Sequence, residues 1–219
     1  MKLSKRSIMG ILILGCIAVS TSGCAGKIGG IIGALSPEIG EKWQDYKEQE
    51  TIIMDNPTDK AITFKIDDKE YTLQPKEMKE EPLKNGQHTM TVPGKSEPIP
   101  FEQKETYCKS LVNPTGSQYI IWSDVYRNKP GSALPSPSVR TSLVYIDGKE
   151  YEDLLQSVND YFVPREKNQP WRWGLDEEMP EEVTVSNYDK DSTYALKYGK
   201  IYRATDFVKD YESYQAAKK

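Results

Sequence analysis

From residue 51 onward, the chain of 219 residues places apolar side chains at every second position in short runs separated by turn residues. The clearest run is AITFKIDDKEYTL, residues 61–73, in which the acidic pair Asp67-Asp68 divides two alternating segments. Its apolar positions are Ile62, Phe64, Ile66, Tyr71 and Leu73. A period of two is typical of a strand with one buried face, and the polar pair at the centre indicates a hairpin. We therefore predict a small β module over residues 51–104.

Residues 105–219 predict a further β-rich module that ends in a helix. The segments interpreted as strands are QYIIWSDVY (118–126), VRTSLVYIDGKEY (139–151), VTVS (183–186) and YALKYGKIYRA (194–204), with turns at Asp147-Gly148 and Gly199-Lys200. Segment 152–162 favours a short helix, whereas the proline-rich segments 128–138 and 163–182 predict loops. At the C terminus, Thr205 is interpreted as an N-cap, and Phe207, Tyr211 and Tyr214 fall on one helical stripe.

A second, shorter helix is predicted upstream of the strands, over residues 37–50. Ser36 suits the N-cap and Pro37 the first helical position, while Ile39, Trp43 and Tyr46 recur at helical spacing. The predicted fold class is therefore mainly β (α+β): a β-sandwich-like body with a short N-terminal helix and a C-terminal helix.

Two short motifs occur twice. Asn-Pro-Thr begins at Asn56 and again at Asn113. The sequence IDDKEY, which begins at Ile66, recurs with one change as IDGKEY from Ile146. The spacing between the two motifs is ten residues in the first case and thirty-three in the second. The repeated motifs are explained either by an internal duplication with an insertion or by independent use of the same turn residues. The unequal spacing favours independent use.

Residues 51–92 carry a hairpin of the form IDD-K and the pattern L-x-x-G-x-H from Leu83 to His88. In these features the segment resembles small β-sandwich modules of the PEGA type, although Asp68 stands where those modules usually have glycine. The resemblance implies an all-β module that is usually not an enzyme.

The N terminus has the composition of a secretory signal. Lys2, Lys5 and Arg6 precede the apolar run SIMGILILGCIAVS, which is too short to span a bilayer comfortably. The TSGC sequence that follows resembles the lipobox of bacterial lipoproteins, which implies cleavage after residue 23 and lipidation of Cys24. Cys16, in ILGC, is a competing site, but cleavage there would leave a shorter apolar core and an apolar overhang. We therefore predict a signal peptide over residues 1–23.

The residues after Cys24 bear on where the protein lies. Residues 24–36 form a glycine-rich tether, and by the same resemblance Ala25 implies sorting to the outer membrane, facing the periplasm. Removal of the three positive signal-peptide residues changes the net charge from −4 to −7. An acidic chain without a basic stripe argues against nucleic acid as a partner and against charge-driven docking on anionic lipid. The expected membrane contact is therefore through the N-terminal acyl chains.

Candidate catalytic chemistry is sparse in the mature chain. Cys108 is the single remaining thiol and is expected to be a buried strand residue, so no intramolecular disulfide is predicted. His88 is the single histidine, which argues against a zinc site. No motif for a nucleophile, a phosphate-binding loop or a calcium loop is complete. We expect no cofactor, no metal and no enzyme activity.

One segment stands out as a candidate binding surface: PWRWG, with Trp171, Arg172 and Trp173 inside the proline-rich loop. In an extended segment both indoles would face one side and Arg172 the other. Tryptophan and arginine are enriched at interface hot spots, so this segment is a candidate contact for a protein or a saccharide. The alternative is that both indoles anchor the loop onto the core. We expect the two indoles to differ in burial, with at least one packed and the other partly exposed beside Arg172.

These observations predict a membrane-anchored envelope lipoprotein that acts as a non-catalytic binding or interaction module for a protein partner. Two alternatives of different class remain. An immunity-type lipoprotein would neutralise a toxin, for which an acidic surface suits a basic partner. A hydrolase of envelope polymers would need clustered buried carboxylates in a cleft.

Overall fold

The computed structural model describes residues 2–4, 50–107, 109–128, 140–165, 171–184 and 195–217. The tether at 24–36 with Cys24, Cys108, and the predicted helix at 37–50 except its last residue lie outside these ranges. Within them the chain is mainly β with one C-terminal helix, α1 (Ala204–Ala217), which confirms the predicted fold class in that respect.

One short N-terminal strand precedes the strands of residues 51–104 and those of residues 105–219. That first strand is β1 (Lys2–Ser4). The strands between residues 51 and 104 are β2 (Thr51–Asp55), β3 (Ile62–Ile66), β4 (Lys69–Leu73), β5 (Met78–Pro82), β6 (Gly86–Thr91) and β7 (Ile99–Gln103). Those that follow are β8 (Ser110–Val112), β9 (Tyr119–Arg127), β10 (Ser142–Ile146), β11 (Lys149–Asp153), β12 (Leu155–Val158), β13 (Phe162–Val163), β14 (Glu182–Thr184) and β15 (Ala195–Arg203).

These strands build a stack of four layers. The outer sheet has the order β4-β3-β6-β7, and the first central sheet the order β13-β8-β2-β5. The second central sheet contains β12, β9, β1 and β14 in that order, with β15 also paired to β9. The hairpin β10–β11 and α1 cover the far side. Because β8 pairs in parallel with β2, the first central sheet contains strands from both predicted modules.

The layer order explains why some strands are continuously apolar. In β2, Ile52 and Met54 pack toward the outer sheet, whereas Ile53 packs toward the second central sheet. In β9, Ile121 belongs to the core between the two central sheets and Ile120 to the core beneath the hairpin. Successive side chains of a strand point to opposite faces, so a strand covered on both sides needs an uninterrupted apolar run.

The outer strands alternate instead. In β3, Phe64 and Ile66 are buried while Thr63 and Lys65 are exposed. The hairpin β3–β4 has the predicted register, with Ile66 opposite Lys69 and a left-handed Asp67 at the turn. The second hairpin, β10–β11, repeats this register with Ile146 opposite Lys149 and a left-handed Asp147. Both predicted hairpins are confirmed.

Three sequence-based predictions differ from the structure. Segment 152–162 contains the end of β11 and the whole of β12 instead of a helix, because Leu155–Val158 supplies the antiparallel neighbour that the edge of β9 needs. Gly199-Lys200 is not a turn, because β15 runs unbroken beside β9 in a ladder from Ala195 to Arg203. The helix α1 starts at Ala204, so Thr205 lies within its first turn instead of at the N-cap.

The strand β1 belongs to the predicted signal peptide. Its three residues pair with β14, and Ser4 also pairs with Arg127 at the end of β9. Cleavage after residue 23, as predicted, would remove this strand from the mature chain.

The two Asn-Pro-Thr segments occupy equivalent places in the fold. Each follows one of two adjacent parallel strands, β2 and β8, and each of these strands has an antiparallel neighbour on its outer side, β5 and β13. Asn56 and Asn113 are both fully buried, and each side chain bridges backbone groups of its own turn. This shared geometry supports an internal duplication, which the unequal spacing had disfavoured.

Candidate functional site

The predicted binding surface at PWRWG is divided by the structure. Trp171 is 1% exposed and packs between the two central sheets with Ile53, Leu111 and Ile201. Its Nε1 donates to the carbonyl of Pro164 at 3.2 Å. Trp171 is therefore a core residue that is unavailable to a partner.

Trp173 and Arg172 remain nearer the surface. Trp173 is half-buried between Tyr126 and Tyr198, with ring centroids 5.8 and 5.9 Å away. The exposed Arg172 places its guanidinium 4.9 Å from the centroid of the Tyr198 ring. The amides of both residues donate to the carbonyl of Gly199, which fastens the segment along β15. The predicted difference in burial between the two indoles is confirmed, and the segment serves first as an anchor of the loop.

The wholly buried carboxylate of Asp55 is fully engaged. Arg203 donates to both of its oxygens, with Nη2–Oδ1 at 2.6 Å, and Tyr119 Oη donates to Oδ2 at 2.7 Å. Burial, together with the adjacent charge of Asp55, raises the pKa of Tyr119, and the hydrogen bonds to Asp55 raise the pKa of Arg203. Since both oxygens of Asp55 accept hydrogen bonds from residues of β9 and β15, this group connects the two central sheets. Among the described residues, no cluster of His, Cys, Asp or Glu is suited to hold a metal ion.

The exposed face of the β10–β11 hairpin is the strongest candidate for an interaction. Leu143 and Tyr145 are 51% and 59% exposed, and they are the only large apolar side chains of the described residues that are exposed to this degree. Their cross-strand neighbours are Glu152 and Glu150. Tyr145 Oη donates to Glu150 Oε2 at 3.1 Å, and this hydrogen bond raises the pKa of Tyr145. We call these four residues the hairpin face.

The first hairpin provides an internal comparison. In the same register, β3–β4 presents Thr63 opposite Thr72 and Lys65 opposite Glu70. The two threonine hydroxyls share a hydrogen bond of 2.9 Å, and Lys65 Nζ lies 3.8 Å from Glu70 Oε2. That face is polar and neutral. The equivalent positions of the hairpin face are apolar on one strand and doubly negative on the other.

The inner side of the second hairpin holds this face in place. Val144, Ile146 and Tyr151 pack on Phe207 of α1. Lys149 pairs with Glu212 at 2.6 Å, and Tyr211 Oη donates to the carbonyl of Glu152 at 3.0 Å. The exposed residues therefore project from a fixed platform, so a partner would meet them with little loss of conformational entropy.

Sequence reasoning did not single out the hairpin face, although a signal was present. The run SLVYI is apolar at four successive positions, Leu143 to Ile146, where the equivalent run ITFKI alternates. A continuous run indicates a strand covered on both faces, as in β2 and β9. In β10 only one face is covered by described residues, so the second apolar set is left at the surface.

Comparisons with protein-family models, with curated proteins and with solved structures give no match. Within the described ranges, none of the helical structure is long and apolar enough to cross a membrane.

Proposed function

We propose that this protein is a lipid-anchored lipoprotein of the bacterial cell envelope whose β-rich body is a non-catalytic docking module for another protein. The observation that carries the docking role is the hairpin face, where Leu143 and Tyr145 are exposed beside Glu150 and Glu152. Exposed apolar residues rimmed by polar ones are typical of protein-interaction sites.

The chemistry of the hairpin face defines the partner. Leu143 and Tyr145 are already about half covered, so burying the rest would contribute about 1–2 kcal/mol each, and an exposed charge pair about 1 kcal/mol or less. The apolar pair would therefore supply most of the affinity, while the two glutamates would select a partner with Lys or Arg around an apolar contact. A basic toxin would satisfy the same requirement, so an immunity role is the second candidate.

The anchor is supported by the N-terminal sequence. The basic start, the short apolar run and TSGC before Ala25 imply a diacylated Cys24 and location on the outer membrane, facing the periplasm. The resemblance of residues 51–92 to PEGA-type modules supports a role without catalysis. The tether at 24–36 would then connect the acyl chains to the body.

The docking role can be tested by photocrosslinking in living cells. A photoreactive phenylalanine analogue is placed at position 145 and, as the matched control, at position 65 of the first hairpin. We expect a discrete crosslinked species from position 145, and a lower yield of it when Glu150→Gln and Glu152→Gln are added. A crosslinked species of equal yield at position 65, or none at 145, would contradict a docking function for the hairpin face.

A gain-of-similarity variant separates docking from folding. Leu143→Thr with Tyr145→Lys gives β10 the residues that β3 exposes at the equivalent positions, Thr63 and Lys65. Both side chains are more than half exposed, so the melting temperature should be unchanged. The partner identified by crosslinking should no longer copurify with this variant. The pair Thr63→Ala and Lys65→Ala is the control, and it should retain the partner.

A further inference from the structure

The two Asn-Pro-Thr turns meet at a cleft beside the start of β3. Since β2 and β8 are parallel neighbours, their carboxyl ends lie at the same edge of the sheet, and the turns that follow them lie side by side. The cleft has a volume of about 300 Å³, at the lower end of the range for small-molecule sites. Its lining includes Thr58, Lys60, Val92, Pro114, Thr115 and Tyr161.

Buried asparagine side chains fix the shape of this cleft. Asn56 Nδ2 donates to the carbonyls of Lys60 and Gln74 at 2.8 and 2.9 Å. Asn113 Nδ2 donates to the carbonyl of Ser117 at 2.8 Å, and the amide of Asn113 donates to the carbonyl of Tyr161. Because these turns are held from within, the cleft is formed before any ligand binds.

Tyr161 is positioned by a glycine. Gly116 has a left-handed backbone with φ of +63°, and a β-carbon there would lie 3.1 Å from the Tyr161 hydroxyl oxygen. Glycine therefore permits both the backbone conformation and the close approach of the tyrosine ring. This arrangement places a half-buried aromatic residue among the threonines of the cleft.

The charges at the cleft are positive. Within the described segments, the ammonium groups of Lys60 and Lys95 form no ion pair with a carboxylate, and Lys95 Nζ lies 5.4 Å from the centroid of the Tyr161 ring. By comparison, Lys69 and Lys79 on the same half both contact Glu81, at 3.0 and 2.7 Å. Two uncompensated cations beside one cleft favour an anionic ligand, against the background of an acidic chain.

We propose that the cleft binds a saccharide unit that carries a carboxylate. The hydroxyl groups of Thr58, Thr63 and Thr115 line the cleft together with Val92, Pro93 and Tyr161. The three threonine hydroxyls hydrogen-bond internally to Asn56, Thr72 and Asn113, so they offer acceptor lone pairs to the hydroxyl groups of a pyranose ring. The apolar and aromatic groups suit the face of the ring, while Lys60 and Lys95 suit the carboxylate. This site is distinct from the hairpin face, and its existence does not depend on the docking role.

Saturation-transfer difference NMR on the whole mature lipoprotein in detergent micelles tests the proposal, with empty micelles as the blank. The probes are N-acetylmuramic acid and N-acetylglucosamine, which share a ring and an acetamido group and differ by one lactyl carboxylate. We expect saturable binding of the acidic sugar and about tenfold weaker binding of the neutral one, as expected for hydrogen bonds to a charged group. Lactate alone, without the ring, should bind at least as weakly as the neutral sugar.

Matched variants connect binding to the cleft. Lys60→Gln and Lys95→Gln should each weaken binding of the acidic sugar several-fold. The melting temperature should be nearly unchanged, because neither ammonium forms an ion pair with a described carboxylate and Lys95 has only the ring of Tyr161 beside it. Lys84→Gln, an exposed lysine outside the cleft, is the control and should bind like the native protein. No binding of the acidic sugar, equal binding of the two sugars or of lactate, or insensitivity to both lysine substitutions would overturn the proposal.

Discussion

Asp55 and Arg203, 148 residues apart in the chain, form a bidentate ion pair between the two central sheets. Arg203 Nε lies 3.1 and 3.0 Å from the two carboxylate oxygens, and Nη2 lies 2.6 Å from Oδ1. Asp55 ends β2 and Arg203 ends β15, so the contact connects the predicted first module to the last strand of the second. A buried pair of this kind costs desolvation on both sides and is stable only when each group has its partner.

Replacement of Arg203 by alanine should therefore be strongly destabilising. The variant would leave the Asp55 carboxylate buried with only the Tyr119 hydroxyl as donor, and we expect a loss of about 3–5 kcal/mol in the free energy of unfolding. Urea unfolding followed by tryptophan fluorescence measures this loss. Asp206→Asn is the control, since Asp206 Oδ2 lies 3.5 Å from Arg203 Nη1 and is more than half exposed. If both variants unfolded at the same urea concentration, the buried pair would not be a major contributor to stability.

A second prediction concerns the two indoles of PWRWG. Trp171 is enclosed between the central sheets, so Trp171→Ala should cost about 3–5 kcal/mol through lost burial and the cavity it leaves. Trp173 contacts two tyrosine rings from a half-buried position, so Trp173→Ala should cost about 1–2 kcal/mol. Thermal melts of the two variants distinguish these outcomes. Equal and large losses would mean that Trp173 is as much a core residue as Trp171.

Local periodicity was sufficient to predict the hairpins at 61–73 and 139–151 and the C-terminal helix, because each depends on residues close in sequence. Local periodicity could not predict how the strands are arranged into layers. Leu155 and Val158 are spaced for either a helix or an edge strand, and only the presence of β9 beside them decides for a strand. The Asp55–Arg203 pair and the exposure of Leu143 likewise follow from which strands become neighbours, and no short window contains that information.

The membrane anchor gives a third prediction. Cys24→Ala should abolish labelling by a palmitate analogue and leave the precursor uncut, because the thiol that accepts the lipid would be absent. Gel mobility together with label incorporation in cells reports both events. Cys16→Ala is the matched control and should be labelled and processed normally. Normal labelling of Cys24→Ala, with loss in Cys16→Ala, would move the cleavage site and exclude the tether at 24–36.

The last prediction concerns acid stability at the first hairpin. Asp67 Oδ2 lies 2.7 Å from His88 Nδ1, and Asp67 Oδ1 accepts from the amide of Thr89 at 2.9 Å. Partial burial acts to raise the pKa of Asp67, but the hydrogen bonds from His88 and Thr89 outweigh it and lower the pKa below its ordinary value of 3.8. A folded-state pKa below the unfolded one means that the carboxylate stabilises the fold. This contribution is complete above the ordinary pKa and is lost as the pH falls through the lowered one.

Asp67→Asn should accordingly be less stable than the native protein near neutral pH, with a difference that shrinks once the pH falls below about 4. Asparagine tolerates the left-handed backbone at this position, where φ is 51°, so the turn itself should persist. Asp147→Asn is the matched control, because Asp147 has the same turn position in β10–β11 with φ of 49°. Urea unfolding at a series of pH values measures all three proteins. If the deficit of Asp67→Asn stayed constant down to the most acidic sample, or if Asp147→Asn showed the same pH dependence, the His88–Asp67 contact would not be the origin of the effect.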